Sequence, residues 1–210
     1  MADPERALSA QELDALSREG WFHRDAVLGT AGGTAVRDLI EALAAAGGLR
    51  PAGIQRKSAV EFEPAIRGDA IAWIGPALPA ALRPLHAWFL ALRDALNRRA
   101  YLGLDGLEIQ VARYPGDGAC YRRHRDGRPA APGEQPARRI TAIYYANPGW
   151  RPEHGGQLRL HLAGGPVDLD PILDRAVVFL SEEVLHEVRP AFAPRRAVTA
   201  WFRARDALGR

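Results

Sequence analysis

Cysteine is almost missing from these 210 residues, and Cys120 stands alone. One cysteine excludes an internal disulfide and any multi-cysteine metal site, and it fits a reducing compartment. Lysine is as scarce, with Lys57 its single instance, so arginine carries the positive charge. A dominant sign of charge is lacking too. Lys and Arg together number 28 against 25 acidic residues, which permits nucleic-acid binding without indicating it. No apolar run approaches the roughly 20 residues that span a bilayer. The opening MADPERALSA carries acids where a signal peptide has its apolar core. These absences lead us to expect a cytoplasmic protein without a membrane partner. What is present, 47% hydrophobic and 25% charged residues, is the composition of an ordinary globular chain with one core.

The first hundred residues read as mainly helical. Ser9-Ala10-Gln11-Glu12 is a capping-box pattern, followed by Leu13 and Leu16 and closed by Gly20. Thr34 is the expected cap of a second helix bearing Val36, Leu39, Ile40 and Leu43, stopped at Gly47-Gly48. A third is expected from about Pro79 to Arg99, regular from Pro84 onward, with Leu82, Leu85, Phe89, Leu92 and Leu96 as one buried stripe. Between the second and third, residues 55–74 suggest a strand or hairpin arm. The second half changes period. Leu107, Ile109 and Val111 alternate, and short strand-like runs follow at 140–145, 158–162, 176–180 and 197–202, separated by Gly- and Pro-rich turns. Residues 127–136 suggest a loop. The expected fold is α+β with a mainly β core, a sandwich or jelly roll carrying the N-terminal helices on one face.

Three features converge on chemistry. His124 and Asp126 stand two apart, so in an extended segment both side chains point the same way and can grip one ion. His186 follows the run at 176–180. Two histidines and one carboxylate make the facial triad of non-haem iron oxygenases, which leaves open metal positions. Arg195, nine residues beyond His186, enters the last strand-like run and offers a planar fork for a carboxylate. Thr199 and Tyr145 could add hydroxyl donors.

With those residues in place, the stretch from about Arg67 to Phe202 resembles the prolyl 4-hydroxylase branch of the iron(II)/2-oxoglutarate-dependent dioxygenases. The likeness is to the hypoxia-inducible-factor prolyl hydroxylases and their bacterial relatives in particular. It is carried by Ile66-Arg67-Gly68-Asp69, Ile71-Ala72-Trp73-Ile74 and Arg113-Tyr114-Pro115-Gly116-Asp117-Gly118. Further along come Tyr121, the His124/Asp126 pair, Ile143-Tyr144-Tyr145, Gly155-Gly156 with Leu158-Arg159, and His186-Glu187-Val188 through Trp201. The resemblance implies a double-stranded β-helix over 101–204, with 1–100 as helical support, in a single oxygenase domain spanning 1–210. It implies iron on His124, Asp126 and His186, and 2-oxoglutarate on Arg195 with Tyr145, Thr199, Tyr114 and Leu158. It also implies a proline-containing polypeptide near Trp201, Tyr121, Arg67 and Arg138, with 55–74 as a mobile substrate-gripping loop. Asp69 is expected to pair with Arg138 or Arg139.

The activity implied is C4 hydroxylation of a prolyl residue with release of succinate and CO2, using O2 and with ascorbate as a reductant. A translation elongation factor is one candidate substrate, and a monomer or weak dimer suffices. The alternatives are the same chemistry on a free amino acid or small metabolite, and a catalytically inactive β-helix binding module. A nucleic-acid demethylase fits less well, because Arg195 is the single well-placed anchor. Cys120 is read as a partly buried thiol, His154 and His161 as structural or solvated, and His23 and His86 as incidental. The run Arg122-Arg123-His124-Arg125 is expected to split between two faces of a strand rather than form one basic surface.

Overall fold

The computed structural model describes residues 7–56, 59–128 and 137–204. The expected loop at 127–136 therefore lies mostly outside the described residues. Helix α1 (Ala10–Glu19) starts on the anticipated capping box: Ser9 Oγ accepts from the Glu12 N–H while the Glu12 carboxylate accepts from the Ser9 N–H. It ends at Gly20, whose φ of 80° a side chain would disfavour. Strand β1 (Trp21–Arg24) follows, and then α2 (Gly29–Ala45).

Helix α2 begins a turn and a half earlier than Thr34. Leu28 precedes it with no side-chain cap of its own. Its start is anchored instead by Asp174, which accepts the Leu28 N–H through Oδ1 at 2.7 Å and the Val27 N–H through its carbonyl. That carboxylate comes from the other half of the chain, so no local signal marks this boundary.

Next come β2 (Arg50–Pro51), a hairpin of β3 (Ile54–Arg56) and β4 (Ala59–Glu61), and β5 (Ala70–Trp73). A 3-10 turn over Ala80–Leu82 then leads into α3 (Arg83–Ala100), regular from Pro84 as expected. The remaining strands are β6 (Leu104–Tyr114), β7 (Ala119–His124), β8 (Arg138–Tyr145), β9 (Leu158–Leu162), β10 (Gly165–Leu169), β11 (Ala176–Leu180), β12 (Leu185–Ala191) and β13 (Arg195–Ala204). No described helix is long and apolar enough to cross a membrane.

A seven-stranded sheet runs β1-β11-β8-β13-β6-β5-β2, and a four-stranded sheet runs β10-β9-β12-β7. The pairing is antiparallel throughout. Alternation along the strands sorts the side chains of the larger sheet. Ile109, Val111, Ile140, Ala142, Tyr144, Val178, Val198, Ala200 and Phe202 face the helices, where they pack with Val36, Ile40, Leu85, Phe89, Leu92 and Leu96. The intervening residues Ile143, Tyr145, Val177, Phe179 and Ala197 face the smaller sheet and pack with its Leu158, Leu160 and Leu169. The result is a sandwich of two sheets with helices on one outer face, a double-stranded β-helix as expected.

The segment 55–74 divides into two parts. Only its first stretch forms a separate hairpin. The return is strapped to β7 by Gly68 N–H to Cys120 O and Arg122 N–H to Ile66 O, and β5 then joins the larger sheet beside β6. Half of the expected mobile arm is therefore a bridge between the two sheets.

Candidate active site

One cleft between the sheets is lined by Tyr114, Tyr121, His124, Asp126, Leu158, His186, Arg195, Thr199, Trp201 and Arg67, all named from the sequence. Alternation accounts for the larger sheet's share: Tyr114 on β6 and Arg195, Thr199 and Trp201 on β13 all lie on the face turned to the smaller sheet. Alternation alone fails for β7, where Tyr121 and His124 both face the cleft. The reason is a register shift: His186 pairs with His124 but Val188 pairs with Tyr121, so β7 spends an extra residue against β12. The bulge brings the Tyr121 and His124 rings into a stack 3.7 Å apart. Arg122, Arg123 and Arg125 are all exposed, while His124 between them turns into the cleft.

At one end of the cleft the ligand atoms of His124, Asp126 and His186 lie within 4.8 Å of one another. His124 Nδ1 is 2.8 Å from the Arg122 carbonyl and His186 Nδ1 is 3.1 Å from that of Val184. A carbonyl only accepts, so each Nδ1 carries a proton and each Nε2 is the atom turned toward the cluster. Both Nε2 atoms point at Asp126, at 3.4 Å and 3.7 Å. Burial would push the Asp126 carboxyl up, but His186 and His124 beside it hold it well below the usual carboxylate range. Burial drives His186 down to about 4 against the pull of Asp126, so it is an unprotonated donor near neutrality. Two imidazoles and an anionic oxygen, converging without filling the space between them, fit a divalent iron with positions to spare.

At the other end Arg195 is 2% exposed and donates through Nε to the Gly156 carbonyl at 2.8 Å. Its guanidinium sits 5.0 Å from the ring centres of both Tyr114 and Tyr145. Arg195 Nη2 and the Tyr145 hydroxyl are buried without a hydrogen-bond partner. Leaving such a donor unmade costs about 1–3 kcal/mol, so the pair fits an anionic oxygen entering the cleft. Gly156 makes the approach possible: a Cβ there would stand 3.2 Å from Arg195 Cδ and 3.1 Å from Trp150, at a φ of 66°.

Arg67 and Arg138 are placed differently from each other. Arg67 donates to Asp69 at 2.8 Å and to Gln110 at 3.0 Å, and lies 4.5 Å over the Tyr121 ring. Asp69 thus pairs with Arg67, not with Arg138 or Arg139. Arg138 donates to Glu108 at 2.9 Å across the sheet, and Arg139 lies 3.8 Å from Glu182. Arg138 sits at the rim, 4.0 Å over Trp201 and 6.0 Å from Trp73. His154 and His161 lie as expected, structural or solvated and outside the cleft. His154 bonds within its own turn, whereas His161 faces Glu187 at 3.2 Å across the outer surface of the smaller sheet.

Sequence reasoning missed Gln110, which shares the period-two row of Ala112 and Tyr114. It also gave no site role to Trp73, which is 54% exposed and 5.6 Å from Trp201. Trp73 pairs in register with Gln110, so the same row would have found both.

A family model described as the 2OG-Fe(II) oxygenase superfamily matches residues 109–203. The human prolyl hydroxylase EGLN3 is 34% identical over 197 residues, covering 89% of this chain and 80% of that protein. This chain belongs to the 2OG-Fe(II) oxygenase superfamily. It is a 2-oxoglutarate-dependent dioxygenase whose chemistry uses iron(II), 2-oxoglutarate and O2. A crystal structure of a Pseudomonas putida prolyl-4-hydroxylase is 39% identical with a TM-score of 0.83, covering 92% of this chain and 98% of that one. A Trichoplax adhaerens prolyl hydroxylase, solved with a peptide of the hypoxia-inducible-factor oxygen degradation domain, is 32% identical with a TM-score of 0.84. It covers 95% of this chain and 90% of that one.

Proposed function

We propose that this dioxygenase hydroxylates a prolyl residue of a protein or peptide at C4, converting 2-oxoglutarate and O2 to succinate and CO2. The observation that carries the reading is one cleft with a two-histidine, one-carboxylate cluster at one end and an unpaired, buried Arg195 donor at the other. His124, Asp126 and His186 hold the iron, and Arg195 holds the far carboxylate of 2-oxoglutarate. The Tyr145 hydroxyl adds a second donor, and Tyr114, Leu158 and Thr199 wall the cosubstrate. Bound iron supplies the oxidising chemistry that activates O2. The protein's own residues bind, orient and exclude water, so that the oxidant meets one C–H bond.

The polypeptide substrate rests on two supports. The named relatives are prolyl hydroxylases, and one of them was solved with a peptide. The cleft is also aromatic, with Trp73, Trp201 and Arg138 grouped together and Tyr121 beside Arg67. Flat rings beside a cation suit the ring and backbone of a prolyl segment. A translation elongation factor as the substrate, ascorbate as the reductant, a cytoplasmic setting and a monomeric or weakly dimeric state belong to the same proposal.

The test is mass spectrometry of proline-containing peptides, and of free proline, after incubation with enzyme, iron(II), 2-oxoglutarate and O2. We expect one added oxygen on a prolyl residue of a peptide and none on free proline. Oxygen incorporation confined to free proline or another small metabolite would overturn the polypeptide reading.

A further inference from the structure

Asp126 is held from behind by two buried hydroxyls. Thr141 and Ser181 are both fully buried. The Thr141 hydroxyl donates to Asp126 Oδ2 at 2.9 Å, and Thr141 Oγ1 lies 2.8 Å from Ser181 Oγ. A threonine hydroxyl has one proton, and an ionised carboxylate can only accept. The Thr141 proton therefore goes to Asp126, and Ser181 supplies the proton of the second contact. The order Ser181 to Thr141 to Asp126 is fixed by that count, and a chain polarised in one direction strengthens its last bond.

The backbone repeats the arrangement. Gly127 N–H donates to the Ser181 carbonyl at 2.9 Å, and Ser181 N–H donates to the Arg139 carbonyl at 3.0 Å. A Cβ on Gly127 would stand 2.5 Å from the Arg138 carbonyl oxygen and 2.8 Å from Glu182 Cγ. The residue after Asp126 is thus pressed against the start of β8 and the turn that follows β11, with no room for a side chain. Thr141 can reach across because it stands in the same row of β8 as Ile143 and Tyr145, facing the smaller sheet. It pairs in register with Phe179 of β11 and Trp201 of β13. Its contact with Asp126 ties the larger sheet to the end of β7.

Building on the iron site proposed above, we infer that Thr141, backed by Ser181, is a positioning residue for Asp126. It occupies a lone pair of Oδ2 and fixes the rotation of the carboxylate, so that a metal meets a preset donor. Without it the carboxylate turns freely toward the two imidazoles, and the metal must order it on binding. Partners of this kind typically contribute about 10–100-fold to metal affinity.

The experiment is isothermal titration of Mn(II), an oxygen-stable probe of the iron site, into the metal-free full-length protein. Thermal unfolding of each metal-free variant is run beside it. We expect Thr141→Val to bind Mn(II) about 10–100-fold more weakly. Thr141→Ser, which restores the donor without the methyl group, returns affinity close to wild type. Ser181→Ala falls between them. A folded Thr141→Val protein with wild-type affinity would overturn the inference. Should that variant fail to fold, Ser181→Ala carries the test, because unchanged Mn(II) affinity there overturns the relay. Wild-type protein that takes up no Mn(II) would sink the metal-site reading itself, and this inference with it.

Discussion

The two sheets differ in what covers them, and the site divides along the same line. The central strands of the seven-stranded sheet are buried on both faces, under the helices on one side and against the smaller sheet on the other. The larger sheet supplies Arg195, Tyr145, Tyr114 and Trp201, the groups proposed above to hold the organic anion and the substrate. The four-stranded sheet buries one face only. Its outer face carries solvated pairs such as Arg159–Asp168 at 2.6 Å and His161–Glu187 at 3.2 Å. Yet His124 and His186 stand on this thinner sheet, with Asp126 just beyond its edge. A metal would supply its own cross-link among its ligands, so these residues tolerate a thinner support than an arginine whose buried Nη2 waits for an anion.

The largest expected effect breaks the metal half alone. His186→Ala should reduce succinate formation to background, while the metal-free protein still unfolds in one cooperative thermal transition, lowered by the cavity left beside Phe179. A chromatographic succinate assay beside a thermal melt checks both. Breaking the other half should leave the metal in place. Arg195→Lys removes the planar fork and should weaken 2-oxoglutarate binding by roughly 100-fold, equivalent to about 3 kcal/mol for a charged buried hydrogen bond. Mn(II) affinity measured by titration should stay unchanged.

Stability should follow the thicker layer. Phe89→Ala empties the helix-facing core, where Phe89 packs edge-on against Phe202 with ring centres 6.3 Å apart. It should lower the unfolding free energy by about 3–5 kcal/mol in denaturant melts, with the KM for 2-oxoglutarate unaltered.

The smallest effect is an acid limb. Burial would raise Glu108, but Arg203 and Arg138 hold it below its ordinary value, and Glu41 is lowered likewise between Arg113 and Arg196. A carboxyl whose folded value is depressed contributes stability that is full above its unfolded value near 4.5. That contribution is lost as pH falls through the lower folded value. Melts between about pH 5 and pH 3 should steepen accordingly, and Glu108→Gln should flatten part of that slope.

Those differences were unequally legible in the sequence. The triad and Arg195 could be read because each element of the signal is local: two ligands two residues apart, then a histidine and an arginine beside one strand. The strand runs at 140–145, 158–162 and 176–180 were legible for the same reason, as apolar stretches between turn residues. What escaped reading depends on register. The β7 bulge puts Tyr121 and His124 on one side, which no two-residue period foresees. The start of α2 is set by Asp174, a residue 146 positions away in sequence from Leu28. Arg138 pairs with Glu108, 30 residues away, because sheet order decides which arginine arrives, whereas Asp69 takes its near neighbour Arg67, two residues away. Thr141 looks like any strand threonine until β8 is laid opposite Asp126.

The most direct test of the central claim is oxygen-dependent succinate formation by purified protein with iron(II) and 2-oxoglutarate, run with a proline-containing peptide substrate and beside His124→Ala. The account expects succinate and hydroxylated peptide in equal amounts from the wild type, and neither from the variant. Wild-type protein that retains no iron and forms no succinate, with or without peptide, would contradict it.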